Sequence, residues 1–174
     1  MIISLTGMPG SGKTTVGRIV ADLLGCRFLD LDEEIVRQQR RSIPEIFEAE
    51  GEAGFRKIEG HTLRGVVSPG AKESPVPTLV LALGGGTLTK PGSARLIHED
   101  TVCIYLRARV ETLAERLASG ADRRPLLAGA SLEERLDKLL EERSVLYEST
   151  AHLTLDTDGN DPGDVASEII VTAL

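Results

Sequence analysis

The segment GMPGSGKT, Gly7–Thr14, constrains the fold of this chain more than any other part of its sequence. It matches the pattern G-x-x-x-x-G-K-[ST] in every place, follows the apolar run IISLT and precedes a helical pattern. In this context glycines let backbone N–H groups approach phosphate oxygens, and the helix N-terminus adds partial positive charge. The loop therefore predicts a nucleoside triphosphate site in an α/β fold.

Short apolar segments alternate with helical patterns along the 174 residues. The predicted strands are MIISLTG, CRFLDLD, LVLAL, TVCIYLR and AHLTLDT. Strands that alternate with helices pair in parallel through right-handed crossovers. We therefore expect an α/β fold with a five-stranded parallel sheet and helices on both faces, in a single domain over residues 1–174.

Capping signals mark several helix boundaries. A helix is predicted over Lys13–Leu24, with Gly25 as its C-terminal stop. Ser42 and Ser131 each precede a glutamate by three positions, which is the capping-box pattern. After the first serine we expect a short helix ending near Phe47 and then a further helical stretch over GEAGFRKIEGHTLRGVV. After the second serine we expect a long amphipathic helix. The segment DPGDVASEII predicts a last helix, capped by its first Asp and begun by its Pro.

Composition excludes several classes of function. The net charge is −7, the pI is near 5.1 and aromatic residues make up 3%, which argues against a nucleic-acid surface. No apolar run approaches the ~20 residues that cross a bilayer, and no signal-peptide pattern is visible. Cys26 and Cys103 lack metal or redox spacing and are expected to be small buried hydrophobes. We expect a cytoplasmic monomer that acts on a small molecule, without nucleic-acid or membrane partners.

Two acids, Asp30 and Asp32, end the second predicted strand. In an extended segment, residues two apart share a face, so both carboxylates could point into one cleft beside the first loop. A strand-end acid is the usual second magnesium contact besides the hydroxyl of Thr14. The alternative is a helix cap and a solvated acid.

A second glycine cluster, Gly84–Gly86, follows the predicted strand LVLAL. Ligands of such sheets bind outside the carboxyl ends of the strands, so this cluster is expected near the first loop. Bare glycine N–H groups could hold the phosphoryl acceptor there, because no Cβ is in the way. The alternative is a tight strand-to-helix turn.

Arginines offer the positive charge that an anionic ligand needs. Arg56 and Arg143 lie on predicted helices and could clamp a carboxylate, unless they merely face solvent. Arg123 and Arg124 lie in the glycine-flanked segment SGADRRPLLAG, and we expect them to close over phosphates.

Taken together, these segments resemble the shikimate kinase family. The matching stretches run in family order over nearly the whole chain: GMPGSGKTT, FLDLDEEI, SIPEIFEAEGEAGFRKIE, LGGGTLTKPG, RPLLAG and RSVLY. The resemblance implies a P-loop fold of the nucleoside-monophosphate-kinase type. It implies an acceptor-binding region over about residues 31–62 and a mobile lid over about residues 119–130. It further implies phosphorylation of the shikimate 3-hydroxyl by ATP with Mg²⁺, a step toward chorismate and the aromatic amino acids.

The resemblance also implies roles for single residues. Lys13, Asp32 and Arg124 would act at the transferred phosphoryl group, while Thr14, with Asp30 through water, would hold Mg²⁺. The expected ATP-binding residues are Pro9, Gly10, Ser11, Gly12, Lys13, Thr14, Thr15, Arg116, Arg124 and Asn160. The expected shikimate-binding residues are Asp32, Arg56, Gly84, Gly85, Gly86 and Arg143.

One position departs from the family pattern. Many members carry an arginine beside the adenine in the last strand–helix turn, where this chain has DTDGNDPG and Asn160 is the nearest match. Two other functions stay open: a P-loop kinase of gluconate or a nucleotide, and a silent P-loop module that regulates a partner. A kinase of a nucleotide would need a base pocket and several phosphate-binding arginines for its acceptor. A silent module would show a damaged phosphate loop or lack the two acids, whereas Lys13, Thr14, Asp30 and Asp32 are all present.

Overall fold

In the computed structural model, which describes residues 1–67, 75–119 and 131–173, five parallel strands form one sheet in the order β2-β3-β1-β4-β5. The strands are β1 (Ile2–Thr6), β2 (Arg27–Asp30), β3 (Leu79–Ala82), β4 (Val102–Arg107) and β5 (Leu153–Asp156). β1 is central, and Leu5 pairs with Ala82 on one side and Ile104 on the other. The loop after β1 therefore emerges in the middle of the carboxyl edge. The predicted fold class is confirmed.

Helices cover both faces of the sheet. They are α1 (Lys13–Leu24), α2 (Leu31–Gln39), α3 (Ile43–Val66), α4 (Ser93–Asp100), α5 (Val110–Ser119), α6 (Leu132–Thr150) and α7 (Pro162–Ala173). Successive side chains of a strand point to opposite faces. Ile3 and Leu5 of β1 pack under α1 and α7, whereas Ile2 belongs to the larger core beneath α2 to α6. None of the described helices combines the length and apolar content needed to cross a bilayer.

The local capping signals are confirmed. α1 ends at Gly25, whose φ of 62° places it in the left-handed region. Ser42 and Ser131 each form a complete capping box with a glutamate side chain. Asp161 accepts a hydrogen bond from the backbone N–H of Gly163 at 2.8 Å, at the start of α7. These boundaries depend on residues only a few positions apart, which is why the sequence predicts them.

Three local predictions were wrong. The second strand ends at Asp30 and not at Asp32, because the Asp30 carboxylate caps α2 by accepting the N–H groups of Asp32 and Glu33. The helix begun at Ser42 does not end near Phe47 but runs to a kink at Gly51 (φ 67°, ψ −177°), where the further helical stretch predicted from the sequence continues the same element, α3. Cys103 is buried as expected, whereas Cys26 is only half-buried.

Candidate active site

The loop between β1 and α1 has the backbone of a phosphate cradle. Gly7, Gly10 and Gly12 have φ values of 143°, 83° and 93°, which residues with a Cβ rarely adopt. A Cβ on Gly7 would lie 2.5 Å from the carbonyl oxygen of Leu106, so the loop also passes too close to β4 for a side chain. A glycine loop of this conformation can bring backbone N–H groups close to an anion, as phosphate binding requires.

Lys13 folds back over this loop. Its Nζ donates hydrogen bonds to the carbonyl oxygens of Gly7 at 2.9 Å and Met8 at 2.8 Å. Burial lowers the pKa of Lys13 to about 8, although the nearby carboxylates of Asp30 and Asp32 oppose this shift. The two predicted acids are therefore close enough to the phosphate loop for their charges to act on Lys13.

Asp30 serves two elements at once. Its Oδ2 accepts a hydrogen bond from Thr14 Oγ1 at 2.8 Å, and its Oδ1 accepts the N–H groups that begin α2. The expected cap and the expected neighbour of Thr14 are therefore the same carboxylate. A hydroxyl and a carboxylate at this distance are the oxygen ligands that Mg²⁺ takes up, directly or through water, so the donor set fits that ion.

A cleft of about 760 Å³ opens beside the loop. It is lined by most of the residues expected to bind ATP: Gly10, Ser11, Gly12, Lys13, Thr14, Thr15, Arg116 and Asn160. Pro9 is not among the lining residues, because it faces the second glycine cluster. Arg124 lies outside the described residues.

Thr157, to which the sequence assigned no role, lines the cleft and accepts hydrogen bonds from Arg116. Arg116 donates hydrogen bonds to Thr157 Oγ1 at 3.0 Å and to its carbonyl oxygen at 2.6 Å. Asn160 Nδ2 donates to the carbonyl oxygen of Asp156 at 2.9 Å. These contacts orient two side chains that line the cleft. A threonine after a strand carries no signal of such a role.

The three consecutive glycines face three different neighbours. A Cβ on Gly84 would lie 3.0 Å from Asp32 Oδ1, and one on Gly85 would lie 3.0 Å from Pro9 Cδ. One on Gly86, whose φ is −106°, would lie 2.3 Å from Arg56 Nη2. Glycine is needed at Gly86 for close approach and not for a left-handed backbone. The turn after β3 is thus the place where the phosphate loop, an acid and an arginine meet.

Arg56 is held by a buried carboxylate that the sequence analysis did not assign. Its Nη1 donates to Glu59 Oε2 at 2.7 Å, and Glu59 Oε1 accepts from Thr87 Oγ1 at 2.7 Å. Glu59 is only 1% exposed. The signal was its position three residues after Arg56 on one helix, a spacing that places both side chains on one face.

Arg143 reaches the same turn from α6. Its Nη1 donates to the carbonyl oxygen of Gly85 at 3.0 Å. Tyr147, one helical turn further on, donates its hydroxyl to the same oxygen; the sequence placed it in the matching stretch RSVLY but gave it no role. Arg56 and Arg143 therefore contact consecutive residues of the glycine turn, although they come from different helices.

A family model described as shikimate kinase matches residues 9–173. The chain belongs to the shikimate kinase family. Among shikimate kinases, that of Nitrosomonas europaea is 42% identical over 155 residues, covering 89% of this chain and 70% of that protein. That of Acinetobacter baumannii (strain AYE) is 40% identical over 172 residues, covering 99% and 91%.

Solved shikimate kinases share the fold of this chain. The shikimate kinase from Acinetobacter baumannii in complex with shikimate superposes with a TM-score of 0.85 at 39% identity, covering 97% of this chain and 90% of that one. The shikimate kinase from Aquifex aeolicus gives 0.81 at 31% identity, covering 99% and 96%. The family resemblance predicted from the sequence motifs is confirmed.

Proposed function

We propose that this chain transfers the γ-phosphoryl group of ATP to the 3-hydroxyl of shikimate, giving shikimate 3-phosphate and ADP on the route to chorismate and the aromatic amino acids. The observation that carries the proposal is the contact between the two glycine loops at Gly85 and Pro9. It joins a phosphate cradle to a turn flanked by two arginines and an acid. Membership of the shikimate kinase family, and the relative solved with shikimate, support this acceptor.

On the donor side, the loop N–H groups and Lys13 bind the phosphates of ATP. Mg²⁺, held by Thr14 Oγ1 and through water by Asp30, would neutralise charge on the outer phosphates. Lys13 leaves the carbonyl groups of Gly7 and Met8 when phosphate oxygens offer a stronger, charge-assisted partner. Arg116 and Asn160 contact the nucleoside end of the cleft.

On the acceptor side, Arg56 and Arg143 bind the carboxylate of shikimate and Gly84–Gly86 lie along its ring. Asp32 accepts the hydrogen bond of the reacting hydroxyl. That oxygen forms a bond to the γ-phosphorus while the bond to the bridging oxygen of ADP breaks, and the hydroxyl proton passes to Asp32. Because such transition states are loose, Asp32 contributes mainly by orientation.

The remaining assignments stay predictions. They are the single domain over residues 1–174, the acceptor-binding region over about residues 31–62 and the lid over about residues 119–130, with Arg124 near the transferred group. Residues 120–130 lie outside the described part of the chain. The cytoplasmic location and the monomeric state are likewise untested, and size-exclusion chromatography with light scattering would test the latter.

An acceptor panel tests the proposed function. ADP release is measured with ATP and Mg²⁺ plus shikimate, quinate, gluconate or no acceptor, and the phosphorylated position is read by ³¹P NMR. We expect turnover with shikimate far above that with the other compounds, and phosphorylation at the 3-hydroxyl. Turnover confined to gluconate, or equal release without any acceptor, would contradict the proposal.

A further inference from the structure

The buried hydroxyl of Tyr147 lies where α6, the glycine turn Gly84–Gly86 and the phosphate loop meet. The residue lies on α6, one turn after Arg143, and is 1% exposed. Its hydroxyl donates to the carbonyl oxygen of Gly85, and it lies 3.9 Å from the Sδ atom of Met8 in the phosphate loop. Arg143 Nη1 donates to the same Gly85 oxygen at 3.0 Å. Both lone pairs of this carbonyl are therefore engaged.

Packing alone does not explain the hydroxyl. The ring centroids of Tyr147 and Tyr105 are 5.1 Å apart, in the large core between the sheet and α6. A phenylalanine ring would fill the same volume without placing a polar group there. Because a buried hydroxyl costs free energy unless it is hydrogen-bonded, its partner at Gly85 is the feature that distinguishes tyrosine at this position.

The phenol of Tyr147 is protonated and acts as a hydrogen-bond donor. Burial raises the pKa of Tyr147, although the positive charge of Arg143, a hydrogen bond from Arg143 and the positive charge of Arg56 oppose this rise. The hydroxyl therefore remains protonated and can serve a carbonyl oxygen, which only accepts.

We propose that Tyr147 is a positioning residue for the phosphoryl acceptor, and the proposal rests on the proposed function. By sharing the Gly85 carbonyl with Arg143, it fixes the direction of that peptide. Arg143 is then fixed by the turn and by Tyr147, and it presents its remaining N–H groups to the acceptor carboxylate. Through the same contact Tyr147 holds the turn against Met8 and Pro9, which sets the spacing between donor and acceptor.

The variant Tyr147→Phe tests this role with Tyr105→Phe as its matched control. Both remove one hydroxyl from equally buried rings that touch each other. Loss of one neutral hydrogen bond predicts a fall of about 3- to 10-fold in kcat/KM for shikimate with Tyr147→Phe. We expect the Kd of a non-hydrolysable ATP analogue to stay within about twofold. Tyr105→Phe should leave both constants unchanged, and thermal melting of both variants separates a loss of stability from a loss of shikimate binding.

A double variant examines whether Tyr147 acts through Gly85. Arg143→Lys alters the other donor to that carbonyl, so its effect on shikimate KM should not multiply with that of Tyr147→Phe. Fully multiplicative effects would overturn the proposal, as would shikimate kinetics of Tyr147→Phe equal to those of Tyr105→Phe. A wild-type protein without shikimate-dependent ADP release would overturn the proposed function itself, and this proposal with it.

Discussion

Gly86 lies directly against the guanidinium group of Arg56. A Cβ on Gly86 would stand 2.3 Å from Arg56 Nη2 and 2.8 Å from Cζ. Glu59 anchors that guanidinium from the other side at 2.7 Å, and Glu59 is itself bonded to Thr87. A Cβ on Gly86 would therefore displace the guanidinium of Arg56, at the expense of its ion pair with the buried Glu59. The position of the Arg56 guanidinium therefore depends on the absence of a side chain at Gly86, and a substitution at Gly86 tests the role of Arg56.

Gly86→Ala should displace Arg56 and weaken shikimate binding selectively. Losing one charge-assisted hydrogen bond of about 1.5–3 kcal/mol corresponds to roughly a 10- to 200-fold higher KM for shikimate. The affinity for an ATP analogue should not change. Gly65→Ala is the matched control, because Gly65 is exposed on α3 and a Cβ there meets nothing within 4 Å. Unaltered shikimate KM in a folded Gly86→Ala protein would contradict the role of Arg56.

Gly85→Ala should behave differently from its neighbour. Its Cβ would lie 3.0 Å from Pro9 Cδ and 3.3 Å from Pro9 Cγ, so the added methyl pushes on the phosphate loop. We expect weaker binding of an ATP analogue as well as slower turnover. Calorimetry with the analogue and steady-state kinetics measure the two effects. An effect on shikimate KM alone would mean that Gly85 acts only as part of the acceptor site.

Lys13→Ala should abolish transfer while leaving the fold intact. The lysine supplies a preorganised charge to the phosphates, and loss of such a group costs ~10²-fold or more in turnover. Lys138→Ala is the control, since Lys138 is an exposed lysine on α6. ADP release and thermal melting are compared for both variants. Near-normal turnover in folded Lys13→Ala would be incompatible with the proposed donor site.

ATP binding should take up protons as the pH rises toward and above 8. Burial lowers the pKa of Lys13 to about 8. Bound phosphates favour the charged form and raise this pKa, so the complex holds more protons than the free protein. ATP affinity should therefore fall with increasing pH above about 8. Calorimetry in buffers of different ionisation enthalpy measures the uptake, and Lys13→Ala should remove its rise between pH 7 and pH 9.

Asp32→Asn should lower turnover more than it weakens ATP binding. The amide keeps the size of the side chain but cannot accept the hydroxyl proton or hold the hydroxyl as an anion does. Glu33→Gln is the control, because the adjacent Glu33 points outward and pairs with Arg18 on the surface at 3.1 Å. Single-turnover rates with saturating shikimate compare the two variants. Equal rates for both would remove Asp32 from the reacting centre.

Features that depend on neighbouring residues were predictable from the sequence. The loop Gly7–Thr14, the two capping boxes and the stop at Gly25 each act within a few positions, so the residue types themselves carry the geometry. Where two local signals overlapped, the prediction was wrong: Asp30 both ends β2 and caps α2. The predicted end of a helix near Phe47 was also wrong: the helix runs to Gly51, where the chain kinks, and Ile46 and Phe55 on either side of the kink share one core.

The sequence by itself determined the family, the class of fold and the kinds of side chain at the site. Only the tertiary structure decided which of them act as partners. Glu59 accepts a hydrogen bond from Thr87, Tyr147 donates one to Gly85, and Gly85 lies against Pro9, each pair coming from separate elements. These pairs are far apart along the chain, and they meet because the parallel sheet brings the loops after β1 and β3 to one edge. A motif specifies a residue type, but only the packing of distant segments specifies what that residue touches.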